Sequence, residues 1–138
     1  MIQLLYGKKG LGKTKVLVEK ANDLARESDG SVVFLDISNQ LICDLNYKIR
    51  FINVSEYPVR DSNLLQGFIS GILAVNYDVQ HIIIDGLTYI VKESMESMGH
   101  FFEALNHLSE QFNVDFLISA SGDVEKTPEF VKKHILAV

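Results

Sequence analysis

Cysteine is nearly absent from the chain. Among 138 residues there is one, Cys43, so no disulfide can form within the chain and no zinc site can be assembled from cysteines. A lone thiol without a local signature reads as a small buried side chain and suits a reducing compartment. Positive charge is also in deficit. Thirteen Lys and Arg face 18 Asp and Glu, a formal net charge of −5, which excludes the global basic field behind non-specific nucleic-acid binding. No stretch approaches the roughly 20 apolar residues that a membrane helix needs. Met1 leads straight into a short apolar segment with none of the layout of a signal peptide, so the expected location is cytoplasmic, with no membrane association. The histidines, His81, His100, His107 and His134, fall at no metal-binding spacing. Repeats, low-complexity tracts and linkers are missing as well. With 47% hydrophobic and 22% charged residues, positions 1–138 read as one globular domain.

What the chain does contain is concentrated near its start. Gly7-Lys8-Lys9-Gly10-Leu11-Gly12-Lys13-Thr14 satisfies G-x-x-x-x-G-K-[ST] at every fixed position. Ile2–Tyr6 before it has the apolar character of a buried strand, and the residues after it carry helical periodicity. Strand, glycine loop and helix start are what a phosphate-binding loop requires, because glycines let the backbone wrap an anion while the helix aims free N–H groups at it. On this reading the loop holds ATP. Lys13 reaches the β- and γ-phosphates, Thr14 offers its hydroxyl to Mg²⁺, and the N–H groups from Lys9 to Thr14 cradle the phosphates. A second informative stretch is His81-Ile82-Ile83-Ile84-Asp85-Gly86, an apolar strand ending in a carboxylate. Beside a phosphate loop it has the form of a segment presenting Asp85 to Mg²⁺.

Between and after these stretches the pattern alternates. Helices are expected over 13–25, from Ser38 or Asn39 to Leu45, over 63–75, over 95–112, and from Pro128 to about His134. Strands are expected over 31–35, 49–54, 81–84 and 114–120, with 135–138 as a last edge strand. Several strands are apolar throughout, as happens when both faces of a parallel sheet are covered. The fold class is therefore α/β, a three-layer α/β/α sandwich with a mainly parallel sheet.

The two motifs together resemble those of P-loop NTPases, and more narrowly a compact RecA-like core. The chain also looks like small bacterial single-domain proteins labelled as twitching-motility ATPases. That resemblance implies ATP binding with Mg²⁺ and one nucleotide-binding domain over 1–138. One departure from the family follows the second motif: a glutamate commonly comes after its Asp, and here that position is Gly86. Some RecA-like members carry the acid at the end of the strand after the first helix, which corresponds to Asp36, the candidate catalytic carboxylate beside Lys13. Lys8 lies where septum-site and partition ATPases place a lysine that reaches a partner's nucleotide, and it also reads as a solvated loop-tip lysine. Ser121-Gly122-Asp123 and Phe130 are similar to a late segment of thymidine-kinase-type enzymes, whose zinc lobe is missing here.

These features leave three readings. The first is an ATP-binding protein with slow or partner-dependent hydrolysis. The second is a nucleotide switch without turnover, and the third a kinase-like phosphotransferase. A homo-oligomer or protein partner is expected to supply any acceleration, since Arg26, Arg50 and Arg60 all lie outside the loop.

Overall fold

The computed structural model describes residues 1–136. Its centre is a five-stranded, all-parallel sheet in the order β1-β5-β4-β2-β3. The strands are β1 (Ile2–Gly7), β2 (Ser31–Asp36), β3 (Arg50–Asn53), β4 (Val79–Ile84) and β5 (Asp115–Ser121). Five helices connect or follow them: α1 (Lys13–Glu27), α2 (Ser62–Val75), α3 (Leu87–Val91), α4 (Gly99–Phe112) and α5 (Glu129–Lys132).

Both faces of the sheet are buried, which is why the strands lack polar alternation. On one face Leu5, Val32, Phe34, Ile83 and Leu117 pack against Leu17, Ala21 and Ala25 of α1. On the other, Leu4, Leu35, Ile82, Ile84 and Phe116 pack against Leu65 and Ile69 of α2 and Phe101, Phe102 and Leu105 of α4. The consecutive isoleucines 82, 83 and 84 thus divide between two cores, following the two-residue period of a strand.

This arrangement decides where a site can form. α1 carries the chain from β1 across one face, whereas α3 and α4, on the way from β4 to β5, return over the opposite face. Connections that leave the ends of β1 and β4, the strands on either side of β5, toward opposite faces open a crevice above the carboxyl ends of the strands. The loop after β1 and the Asp85 turn after β4 both border that crevice.

Several expected elements differ. The segment after β2 forms no helix: 38–45 is a series of turns with i to i+3 bonds, Ile42 N to Asn39 O at 3.3 Å and Asp44 N to Leu41 O at 2.9 Å. Asn22 of α1 holds it in place, donating to Asp44 O at 3.0 Å and accepting from Asn46 N at 2.7 Å. Side-chain partners of this kind compete with helical hydrogen bonding. Cys43 lies on these turns and is exposed, not buried. A single 3₁₀ turn at Met95–Ser97 precedes α4, so the long helix begins at Gly99. α3, five residues immediately after the Asp85-Gly86 turn, is unanticipated. Only part of the expected final strand is described. Ile135 bridges to Leu4 in parallel fashion, and Ala137 and Val138 lie outside the described residues. Among the described residues no helix is long and apolar enough to cross a membrane.

Candidate functional site

The loop joining β1 to α1 is shaped by its glycines. Gly10 and Gly12 have φ of 89° and 80°, left-handed backbone that side chains rarely adopt. Gly12 is also the N-cap of α1, and no side chain caps that helix. Among the described residues no hydrogen bond uses the N–H groups of Gly10, Leu11, Gly12, Lys13 or Thr14. A helix start with open donors carries partial positive charge, the electrostatic complement of an anion.

Lys13 folds beneath this loop. It is only 8% exposed, and its Nζ donates to Gly7 O at 3.1 Å and Lys8 O at 2.7 Å. Burial lowers its pKa, while Tyr89 and the Asp85 carboxylate act to raise it. Lys8 and Lys9 are exposed on the loop, and the Lys9 ammonium stands 5.6 Å from the centre of the Tyr89 ring.

Thr14, on the first turn of α1, meets Asp85 across 71 residues of sequence. Its Oγ1 donates to the carboxylate with both oxygens at 3.2 Å. Asp85 follows β4 directly, is 8% exposed, and donates its own N–H to Leu35 O at 2.9 Å. β5 lies between β1 and β4 and adds a residue that the sequence reading missed. Ser119 Oγ donates to Asp85 Oδ1 at 2.7 Å and accepts from Gly86 N at 2.8 Å, fixing both the carboxylate and the turn that carries it. The available signal is that Ser119 is the one hydroxyl in the otherwise apolar run Phe116–Ala120.

Removing that hydroxyl should be felt. Ser119→Ala strips a donor from a buried carboxylate and a partner from the Gly86 N–H, so it is expected to cost about 1–3 kcal/mol of stability. The check is the urea midpoint, which should fall with the slope unchanged.

Asp36 closes the other side of the same crevice at the end of β2. Leu35 and Ile84 are paired in register, so Asp36 and Asp85 stand side by side on neighbouring strands. Asp36 is 7% exposed, and burial raises its pKa to about 6, with the Ile37 N–H at 2.7 Å lowering it and the Asp85 charge raising it. An acid whose pKa rises on folding favours the folded state most below its unfolded value near 4, and that advantage is lost as pH climbs through about 6. In metal-free buffer, stability should therefore decline between about pH 4 and 6. Asp36→Asn should abolish this decline and be more stable than wild type at pH 7, by on the order of 1–3 kcal/mol. Chemical denaturation across that pH range measures both effects, and parallel curves for the two proteins would refute them.

Together the loop, Thr14, Asp36, Asp85 and Ser119 line a cavity of about 510 Å³, with Tyr89 and Ile37 at its rim. Every residue singled out for the phosphates and for Mg²⁺ belongs to this neighbourhood or to the loop that forms it. Compared with models of known protein families and with curated proteins, the chain matches none. The arginines are elsewhere. Arg26 pairs with Asp23 on α1, and Arg50 bonds to Asn76 from the amino end of β3, opposite the crevice. Phe130, partly buried, packs on Phe102 against the core. Among the described residues no group of three or more His, Cys, Asp or Glu is placed to hold a metal ion unaided.

Proposed function

We infer that the protein is a P-loop nucleotide-binding domain with a RecA-like core that binds ATP together with Mg²⁺ and hydrolyses it slowly or only with a partner. The observation that carries this reading is the meeting of Thr14 and Asp85 at 3.2 Å, at the foot of a glycine loop with open N–H groups. A hydroxyl and a carboxylate are hard oxygen donors, and Mg²⁺ takes one or two protein oxygens with the rest supplied by phosphates and water. The donor set fits the ion: Thr14 and Asp85 would hold it, and Ser119 orients Asp85. Bound there, Mg²⁺ would neutralise charge on the phosphate oxygens. Lys13 would exchange the carbonyls of Gly7 and Lys8 for phosphate oxygens, and the loop amides would hold the chain of phosphates in place.

A nucleotide switch without turnover is the second reading. It is favoured by Gly86, whose φ of 72° makes it the left-handed N-cap of α3 in the place where a water-polarising glutamate would stand. Calorimetric titration with ATP and GTP, with and without Mg²⁺, tests the shared part of both readings. Mg²⁺ should strengthen ATP binding in wild type. Asp85→Asn should lose that increment, on the order of 10–100-fold in metal-dependent affinity, while its fold and metal-free binding stay unchanged. Equal Mg²⁺ dependence in wild type and Asp85→Asn would remove Asp85 from the metal site.

A further inference from the structure

A second cavity, of about 610 Å³, adjoins the first and shares Ile37 and Tyr89 with it. It lies between the turn after β3 and the end of α3. We propose that this cavity binds a small phosphate monoester carrying a flat ring, seated beside the terminal phosphate of a nucleotide in the glycine loop. The location relative to ATP rests on the function proposed above; the pocket and its chemistry do not.

Charge is the first reason. Arg60 and Lys92 both line the cavity, and among the described residues neither has a carboxylate within 4 Å. Glu56 is the one acid on its wall, so the lining is net cationic. An arginine offers a planar fork and a lysine a point charge, a combination suited to a phosphate dianion.

The backbone gives the second reason. Lys92 ends α3 with φ 56°, a left-handed position that glycine or asparagine fills with least strain. Among the described residues the other non-glycine residue with positive φ, Asn113, is of that favoured type. A lysine kept in such a conformation at the mouth of a pocket is a local departure of the sort that marks binding sites.

The remaining surfaces suit a ring. Tyr57 and Tyr89 are about half exposed at the rim, 49% and 43%, while Val54 and Ile90 are buried at the base. Half-exposed aromatics over an apolar floor offer stacking area to a flat group, with the cations left for its phosphate.

The test uses the full chain with its glycine loop blocked by a saturating Mg²⁺ complex of a non-hydrolysable ATP analogue. Nucleoside monophosphates are then titrated in, with ribose 5-phosphate as the probe that lacks the flat ring and the nucleosides as the phosphate-free one. The expected result is 1:1 binding of a monophosphate that is weaker for both partial probes. Arg60→Gln and Lys92→Gly should each weaken it about ten-fold, the scale of one lost charged hydrogen bond, with analogue affinity unchanged. Arg60 is exposed and Lys92→Gly relieves a left-handed residue, so both variants keep the fold. No binding to the blocked protein, or binding indifferent to both substitutions, overturns the proposal. If the ATP analogue itself fails to bind, the function proposed above fails. The second pocket is then judged on nucleotide-free protein, where the monophosphate should respond to Arg60→Gln and Lys92→Gly but not to Lys13→Ala.

Discussion

Replacing Lys13 with alanine is expected to weaken ATP binding by roughly 10–150-fold, the equivalent of losing a charge-assisted hydrogen bond of about 1.5–3 kcal/mol. The resting structure indicates why the loss falls on binding rather than on folding. The ammonium is satisfied by two backbone carbonyls, Gly7 O and Lys8 O, which are parts of the loop it would help to fill. No carboxylate depends on it for an ion pair among the described residues. Burial already disfavours its charged state. Alanine therefore removes a partly desolvated cation, leaving the Gly7 carbonyl its bond from Gly122 N–H at 3.0 Å and the Lys8 carbonyl on an exposed loop residue. Lys13→Arg distinguishes position from charge: a planar guanidinium cannot follow the path of a slender ammonium under the loop, so it too should bind ATP weakly. Titration of ATP into wild type and both variants, with urea midpoints as the folding control, decides the matter. An unchanged affinity in Lys13→Ala would mean that the glycine loop is a turn and not a phosphate cradle.

The glycine loop is legible in the chain because its chemistry is local. Gly10 and Gly12 sit where left-handed backbone is required, and Lys13 and Thr14 are fixed by their place at the helix start. Asp85 is legible for a similar reason, since a run of isoleucine ending in an acid has few other uses beside such a loop. The contribution of Ser119 is a product of strand order. β5 comes last in the chain yet lies between β1 and β4, and no spacing along the sequence reveals that neighbour. The turns at 38–45 and the exposed position of Cys43 depend on Asn22, some twenty residues upstream, offering its amide to Asp44 and Asn46. α3 escapes because five residues are too few to show a period. Its start nonetheless explains Gly86: the left-handed turn that begins α3 and donates its N–H to Ser119 Oγ favours glycine there.

Turnover by the isolated chain should be slow, at or below about 10⁻² per second, the range of P-loop proteins that lack a full set of charge-stabilising and water-orienting groups. Two features set this expectation. The residue after Asp85 cannot easily become a glutamate: Gly86 has φ 72°, and a Cβ there would meet the Tyr89 ring at 3.3 Å. The absence is thus built into the backbone. Among the described residues no arginine lines the crevice either, since Arg26 and Arg50 are engaged elsewhere and Arg60 borders the second cavity. What remains for orienting water is Asp36, a short acid whose pKa near 6 leaves it largely ionised at pH 7. Asp36→Asn should lower the residual rate while ATP binding persists, and the wild-type rate should fall as pH drops through about 6. Any acceleration should require self-association or another protein that brings in a cation, and should then grow with protein concentration or with that protein. Steady-state phosphate release by wild type, Asp36→Asn and Gly86→Glu, measured across concentration, tests each point. Gly86→Glu should lose stability without gaining rate. A monomer turning over at about 1 per second would show that the crevice already holds a complete catalytic set.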